Sequence, residues 1–156
     1  MSKLEILENK KLVLKNVIKL EVRNISMEEI DTYLNKFLTK VELLRVQTFG
    51  PLVIKSIGAS ISEDGSSITT DYDLFLQAHD YKQYKNEFVI EERHVCEHCA
   101  YLHFEGNPQD INYAHSKLDI YFYENDLSNN GTIYSVCIHD SEDYTIIDLF
   151  KPVLKI

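Results

Sequence analysis

The sequence predicts an α+β fold, built as a tandem β-α-β-β pseudo-repeat. Three observations predict it. Apolar residues alternate, then step by three and four, then alternate again, and this order occurs twice. Turn-forming clusters fall at matching places in each half. The letters Asp73-Leu74-Phe75 close the first half, and Asp148-Leu149-Phe150 close the second.

The elements follow in order. Residues 12–22 are rich in aliphatic and β-branched residues and read as a strand. Ser26-Met-Glu-Glu29 has the spacing of a capping box. Behind it Met27, Ile30, Tyr33, Leu34, Phe37, Leu38, Val41 and Leu44 describe one helical face. Gly50-Pro51 breaks the chain before strands 52–61 and 68–77, joined through Asp64-Gly65. The polar stretch 79–93 connects the halves. Strand 94–105 ends at Gly106, and Asn107 caps a helix with Pro108 at its first position. Ile111, Ala114, Leu118, Tyr121 and Phe122 line that helix, which Asn129-Asn-Gly131 ends. Strands 132–139 and 144–150 complete the second half. One domain of residues 1–156 results, with halves at about 12–78 and 94–154. A lone helix covers a short sheet poorly, so joining two such units completes a core.

With 156 residues, 44% hydrophobic and 26% charged, the chain has the balance of a globular domain. Its net charge of −9 opposes nucleic acid and anionic membrane surfaces as partners. No apolar run approaches the ~20 residues needed to span a bilayer. No leader is visible and the cysteines are odd in number, which points to the cytoplasm.

The densest cluster of reactive side chains is Arg93-His-Val-Cys-Glu-His-Cys-Ala-Tyr-Leu-His-Phe-Glu-Gly106. On a regular strand Cys96 and Cys99 face opposite ways and share neither a disulfide nor a metal ion. His94, Cys96 and His98 share a face, but at ~6.6–6.8 Å between alternate residues they span one ion with difficulty. No second ligand pair at zinc-like spacing exists. The expectation is a strand without a metal or a cofactor. His103 and Glu105 share a face beside Tyr101. Asp148, between apolar neighbours, either bonds across the sheet or faces a pocket. No Gly-rich phosphate loop, nucleophile elbow or paired-carboxylate motif is present.

Three local stretches carry a family resemblance. They are "CAYLHFEGNPQDINYAHSKL", "NNGTIYSVCI" and "YTIIDLFKPV". Together with the repeated order they resemble the GyrI-like family, the AraC effector-binding domain, over about residues 12–154. The resemblance implies a curved antiparallel sheet with two helices on one face, and a groove between the pseudo-repeats that takes small, often lipophilic or cationic, molecules. It implies a stand-alone member, because a helix-turn-helix does not fit before residue 12. Multidrug-binding relatives carry a buried Glu after the Tyr of the strand following the Gly turn. Here Ser135 follows Tyr134, which weakens both cation binding and a hydrolase role.

The expected function is therefore small-molecule binding without catalysis and with no catalytic residue. Tyr101 and Tyr134 would stack, Ser135 would hydrogen-bond and Asp148 would select polarity. The partner is a small lipophilic or aromatic molecule. The alternative is a protein-interaction module whose acidic surface meets a basic protein, with a hydrolase third.

Overall fold

The computed structural model describes residues 4–26, 28–61 and 63–154. Met27, counted above on the first helical face, lies outside them. Strand β1 (Ile6–Ile25) is longer than its alternation suggests. Asn9, Asn16 and Asn24 each adopt φ of 55°, a left-handed conformation that asparagine tolerates, so the pattern of faces is reset within one strand. Helix α1 (Ile30–Leu43) follows. The Glu29 carboxylate accepts from the Ser26 N–H at 3.1 Å and from its hydroxyl at 3.0 Å. Half the capping box thus forms, with the Ser26 hydroxyl turned to Glu29 instead of the helix N–H groups. Phe37 and Val41 are buried, while Leu38 is exposed.

Strand β2 (Thr48–Ile61) runs through Gly50-Pro51, which makes a bulge where a break was expected. Only β3 (Ile68–Ala78) pairs with this end of β2, so Pro51 leaves no ladder bond to β5 unmade. A single 3-10 turn at Tyr81–Tyr84 buries both tyrosines within the connecting stretch. Strand β4 (Val89–Gly106) begins earlier than the composition suggests. The Asn107 side chain accepts from the Gln109 N–H at 2.9 Å and starts a 3-10 turn that leads into α2 (Ile111–Glu124). Strands β5 (Thr132–Asp140) and β6 (Thr145–Pro152) end the fold.

The curved sheet closes on itself. Its order is β1-β3-β2-β5-β6-β4, all pairs are antiparallel, and β4 pairs back with β1. Each β-α-β-β half contributes three adjacent strands, and the halves meet at two seams, β2·β5 and β1·β4. At the first seam Ile54 lies opposite Ser135, flanked by Val53↔Val136 and Lys55↔Tyr134. A local two-fold between Ile54 and Ser135 therefore relates the halves. It carries the Val53↔Phe75 pair onto Tyr134↔Phe150, so the two Asp-Leu-Phe stretches are structurally equivalent.

Directly paired residues share a sheet face. Leu20, Leu74, Ile54, Ser135, Leu149 and Leu102 form one connected row on the outer face. Here α1 packs Phe37 and Val41 with Ile18, Val22 and Leu74, while α2 packs Ala114, Leu118 and Phe122 with Leu102, Phe104 and Leu149. Both helices thus lie on one face. The inner face carries the row Glu21, Asp73, Lys55, Tyr134, Phe150 and Tyr101, followed by Lys19, Phe75, Val53, Val136, Asp148 and His103. Its centre is dry: Leu12, Leu14, Val17, Val53, Phe75, Tyr134 and Val136 pack together.

Candidate functional site

The inner face holds polar groups on both sides of its apolar centre, and β4 supplies more of them than any other strand. Asn9 on β1 and an extra residue around Glu97-His98 on β4 shift the β1·β4 register twice, from Leu7↔Tyr101 to Lys10↔Cys99 to Leu12↔Cys96. The bulge returns Cys96 to the face of Cys99. Their sulfurs lie 3.0 Å apart. The expectation that they face opposite ways is thus corrected, because a bulge depends on the partner strand. His98 is left exposed beside Glu8 and Asn9, away from Cys96.

One cluster is a chain of hydrogen bonds. Lys19 Nζ meets Glu91 Oε1 at 2.6 Å, Glu91 Oε2 meets His94 Nδ1 at 3.1 Å, and His94 Nε2 meets the Tyr134 hydroxyl at 2.9 Å. Burial pushes the Glu91 carboxyl upward, but the bonds from Lys19 and His94 outweigh it and hold the group below its ordinary range. Phe75 stacks at 4.8 Å from His94 and 6.3 Å from Tyr134, and Lys55 sits 5.5 Å over the Tyr134 ring. Tyr134 is only 4% exposed, and burial raises its phenol. Nearby, Arg23 Nη1 lies 2.8 Å from Asp73, while its N–H groups are directed at the Tyr72 and Val22 carbonyls. That contact is an ion pair off the line of a hydrogen bond.

The second cluster is more open. The Tyr101 hydroxyl donates to Asp148 Oδ1 at 2.9 Å, and His103 Nδ1 meets the same oxygen at 2.5 Å. His103 Nε2 meets Glu105 Oε1 at 2.8 Å, and the Tyr144 hydroxyl donates to Glu105 Oε2 at 2.7 Å. The Glu105 bond raises the His103 imidazole, against burial, and Asp148 adds to it. Burial and then Asp148 push the Tyr101 phenol up to about 12. Tyr101 and Phe150, both half-buried, pack with centroids 5.0 Å apart.

The structure therefore brings Tyr101 and Asp148 into contact and sets Phe150 between Tyr101 and Tyr134 in one row. Tyr134 is walled in beside Phe75. Ser135, next in the chain, faces the helix side with Ile54 and Leu149. Sequence reasoning missed Glu91, Lys55 and Phe150 as site residues, and weighed His94 only as a metal ligand. Phe150 carried a signal, as its Asp-Leu-Phe copy was noted; Lys55 is an ordinary strand lysine until pairing sets it against Tyr134. A cavity of about 180 Å³, lined by Tyr121, Leu127, Ala100 and Val153, lies under α2 on the opposite face. Among the described residues no group of three or more His, Cys, Asp or Glu side chains is arranged to hold a metal ion. No helix there is long and apolar enough to cross a membrane.

No family model matches the chain, and no curated protein does. Solved structures do. The EcmrR C-terminal domain matches at 10% identity, TM-score 0.59, covering 99% of this chain and 98% of that one. SAV2435 bound to tetraphenylphosphonium matches at 13% identity, TM-score 0.56, covering 98% and 94%. A hydrolase encoded by lin2189 from Listeria innocua matches at 9% identity, TM-score 0.52, covering 97% and 92%. The chain shares their fold. It is the fold that the GyrI-like resemblance implies, and at such identities the likeness extends to the fold alone. Another structure of a hydrolase from Listeria innocua matches at 10% identity and TM-score 0.50. The expectation of a non-catalytic module is corrected by these two hydrolase structures, since this architecture occurs in hydrolases.

Proposed function

We propose that this chain takes a small aromatic or lipophilic molecule on the inner face of the barrel, against the Tyr101–Phe150 pair. The observation that carries the reading is that pair, half-buried and flanked by Asp148 and His103. Rings with a few fixed polar groups are the usual wall of a small-ligand site. Asp148 and Glu105 favour a ligand with positive charge, which replaces the carboxylate that Ser135 lacks. Tyr134 acts from behind, bracing Phe150. SAV2435, which shares the fold, is bound to a lipophilic cation, and this supports the same ligand class here.

Hydrolysis at the same face is the second reading. It is favoured by the Tyr101–Asp148–His103 contacts, which set a phenol, a carboxylate and an imidazole within one hydrogen-bonded group.

Thermal unfolding with tetraphenylphosphonium and a neutral aromatic of similar size tests the binding reading. A ligand at a hundred times its Kd stabilises by about 2.7 kcal/mol. Stabilisation by the cation that Asp148→Asn weakens about tenfold, and that Phe150→Ala removes, is the expected result. Absence of stabilisation by both compounds on the folded protein overturns it. Turnover of activated esters that is lost in His103→Asn establishes the second reading.

A further inference from the structure

The Cys96-Glu-His-Cys99 stretch has no part in the ligand reading, yet its geometry is specific. Cys99 is fully buried and donates its S–H to Cys96 Sγ at 3.0 Å. Cys96 is half-buried and packs against the inner cluster that contains Leu12, Leu14 and Tyr134. The two thiols thus differ in access: one can be reached, and the other stands behind it in contact. The third thiol, Cys137, lies on the helix side, paired with Ile147, and its Sγ reaches the Ser135 carbonyl at 3.9 Å.

We infer that Cys96 and Cys99 form a reactive dithiol, with Cys96 the attacking thiolate, Cys99 the resolving thiol and a low-molecular-weight disulfide the oxidant. Cys96 loses its proton to solvent and attacks one sulfur of the disulfide. The old S–S bond breaks, one small thiolate leaves, and a mixed disulfide forms on Cys96. Cys99, giving up its own proton, then attacks Cys96 Sγ and expels the second small thiolate. The protein is oxidised by two electrons and the small disulfide is reduced to two thiols. The approach needed is short, since the sulfurs already touch, and the bulge supplies the freedom that a flat strand lacks.

The electrostatics run the same way. The hydrogen bond from Cys99 lowers the Cys96 thiol to about 7, against its burial, and Lys55 on β2 adds to the effect. The same contact, together with burial, raises Cys99. Burial pushes Cys137 up to about 11. At neutral pH the thiolate fraction favours Cys96 over Cys137 by more than about a thousandfold, and its lower basicity takes back up to about a hundredfold. The expected selectivity is on the order of 50-fold.

The test is peptide mapping of the full-length reduced protein after brief exposure to iodoacetamide, and separately to oxidised glutathione. Iodoacetamide should label Cys96 on the order of 50-fold faster than Cys137, and urea should abolish the difference. Oxidised glutathione should yield a peptide carrying both Cys96 and Cys99 that has lost two hydrogens, with Cys137 still free. Cys99→Ser should stop at the mixed disulfide on Cys96. Equal labelling of Cys96 and Cys137, or a wild-type product that stays as the mixed disulfide, overturns the inference. The wild-type maps decide the matter even if the variant does not fold, and neither map depends on ligand binding.

Discussion

Replacing Phe75 or Phe150 by alanine separates two roles that identical letters conceal. The local two-fold makes them equivalent, each third in an Asp-Leu-Phe stretch and each facing inward. Their surroundings differ. Phe75 is 0% exposed, enclosed by His94, Tyr134 and the Lys19 ammonium 5.8 Å above its ring. Phe75→Ala removes the transfer energy of a buried ring and leaves a sealed void, a loss of about 3–5 kcal/mol. Phe150 is half-buried and touches Tyr101. Phe150→Ala opens to solvent, leaves no sealed void, and costs about 1–2 kcal/mol. Urea unfolding followed by circular dichroism, with a shared slope, measures both. The binding assay then reverses the ranking: Phe150→Ala loses the ligand, and Phe75→Ala, under conditions where it remains folded, keeps most of the affinity. Equal destabilisation by the two substitutions, or a greater loss from Phe150→Ala, refutes the assignment of a packed centre beside an open ring pair.

Three further predictions concern pH and the seam. Glu91 has a depressed folded pKa, so its contribution is present above the ordinary carboxylate range and is lost as pH falls through the folded value. Glu91→Gln should destabilise at neutral pH by about 1–2 kcal/mol and flatten the acid limb of stability below about pH 5. His103 has the opposite sign: its folded pKa is raised, so its contribution is full below the unfolded value and fades as pH rises through the folded one. The side chain is 40% exposed, so His103→Asn should remove only a few tenths of a kcal/mol below about pH 6, and less as pH rises. At the seam, Gly131 has φ of 89°, and a Cβ there would lie 3.0 Å from the Gly58 Cα, whose N–H donates to the Gly131 carbonyl. Gly131→Ala should cost about 2–4 kcal/mol, from the left-handed backbone plus crowding that the hydrogen bond prevents from relaxing. Gly65→Ala, with φ of 73° and open space, should cost about 1 kcal/mol, and a matched loss at the two sites would show the seam contact to be slack.

The element order was legible because its signals are local. Asn107-Pro108 started a helix by a side-chain bond two residues away, and Ala114, Leu118 and Phe122 were buried as their spacing required. The site was legible in part. Tyr101 and Asp148 were identified one by one, but their hydrogen bond follows from the β4·β6 register, which no single strand specifies. Glu91 and His94 bond across three positions of β4, a spacing that regular alternation forbids, so Glu91 drew no attention and His94 drew it only as a metal candidate. The Asp-Leu-Phe echo did point to a repeat, but the depth of each phenylalanine was not in the letters.

The sequence by itself determined two β-α-β-β units, their turns and the apolar face of each helix, because period, capping and turn chemistry act over a few residues. Only the tertiary structure decided that the sheet closes through β1·β4, that Cys96 and Cys99 touch, and that Tyr134 is enclosed while Phe150 is not. Each of these depends on the register between strands far apart in the chain. A shift of one residue there turns every later side chain to the other face.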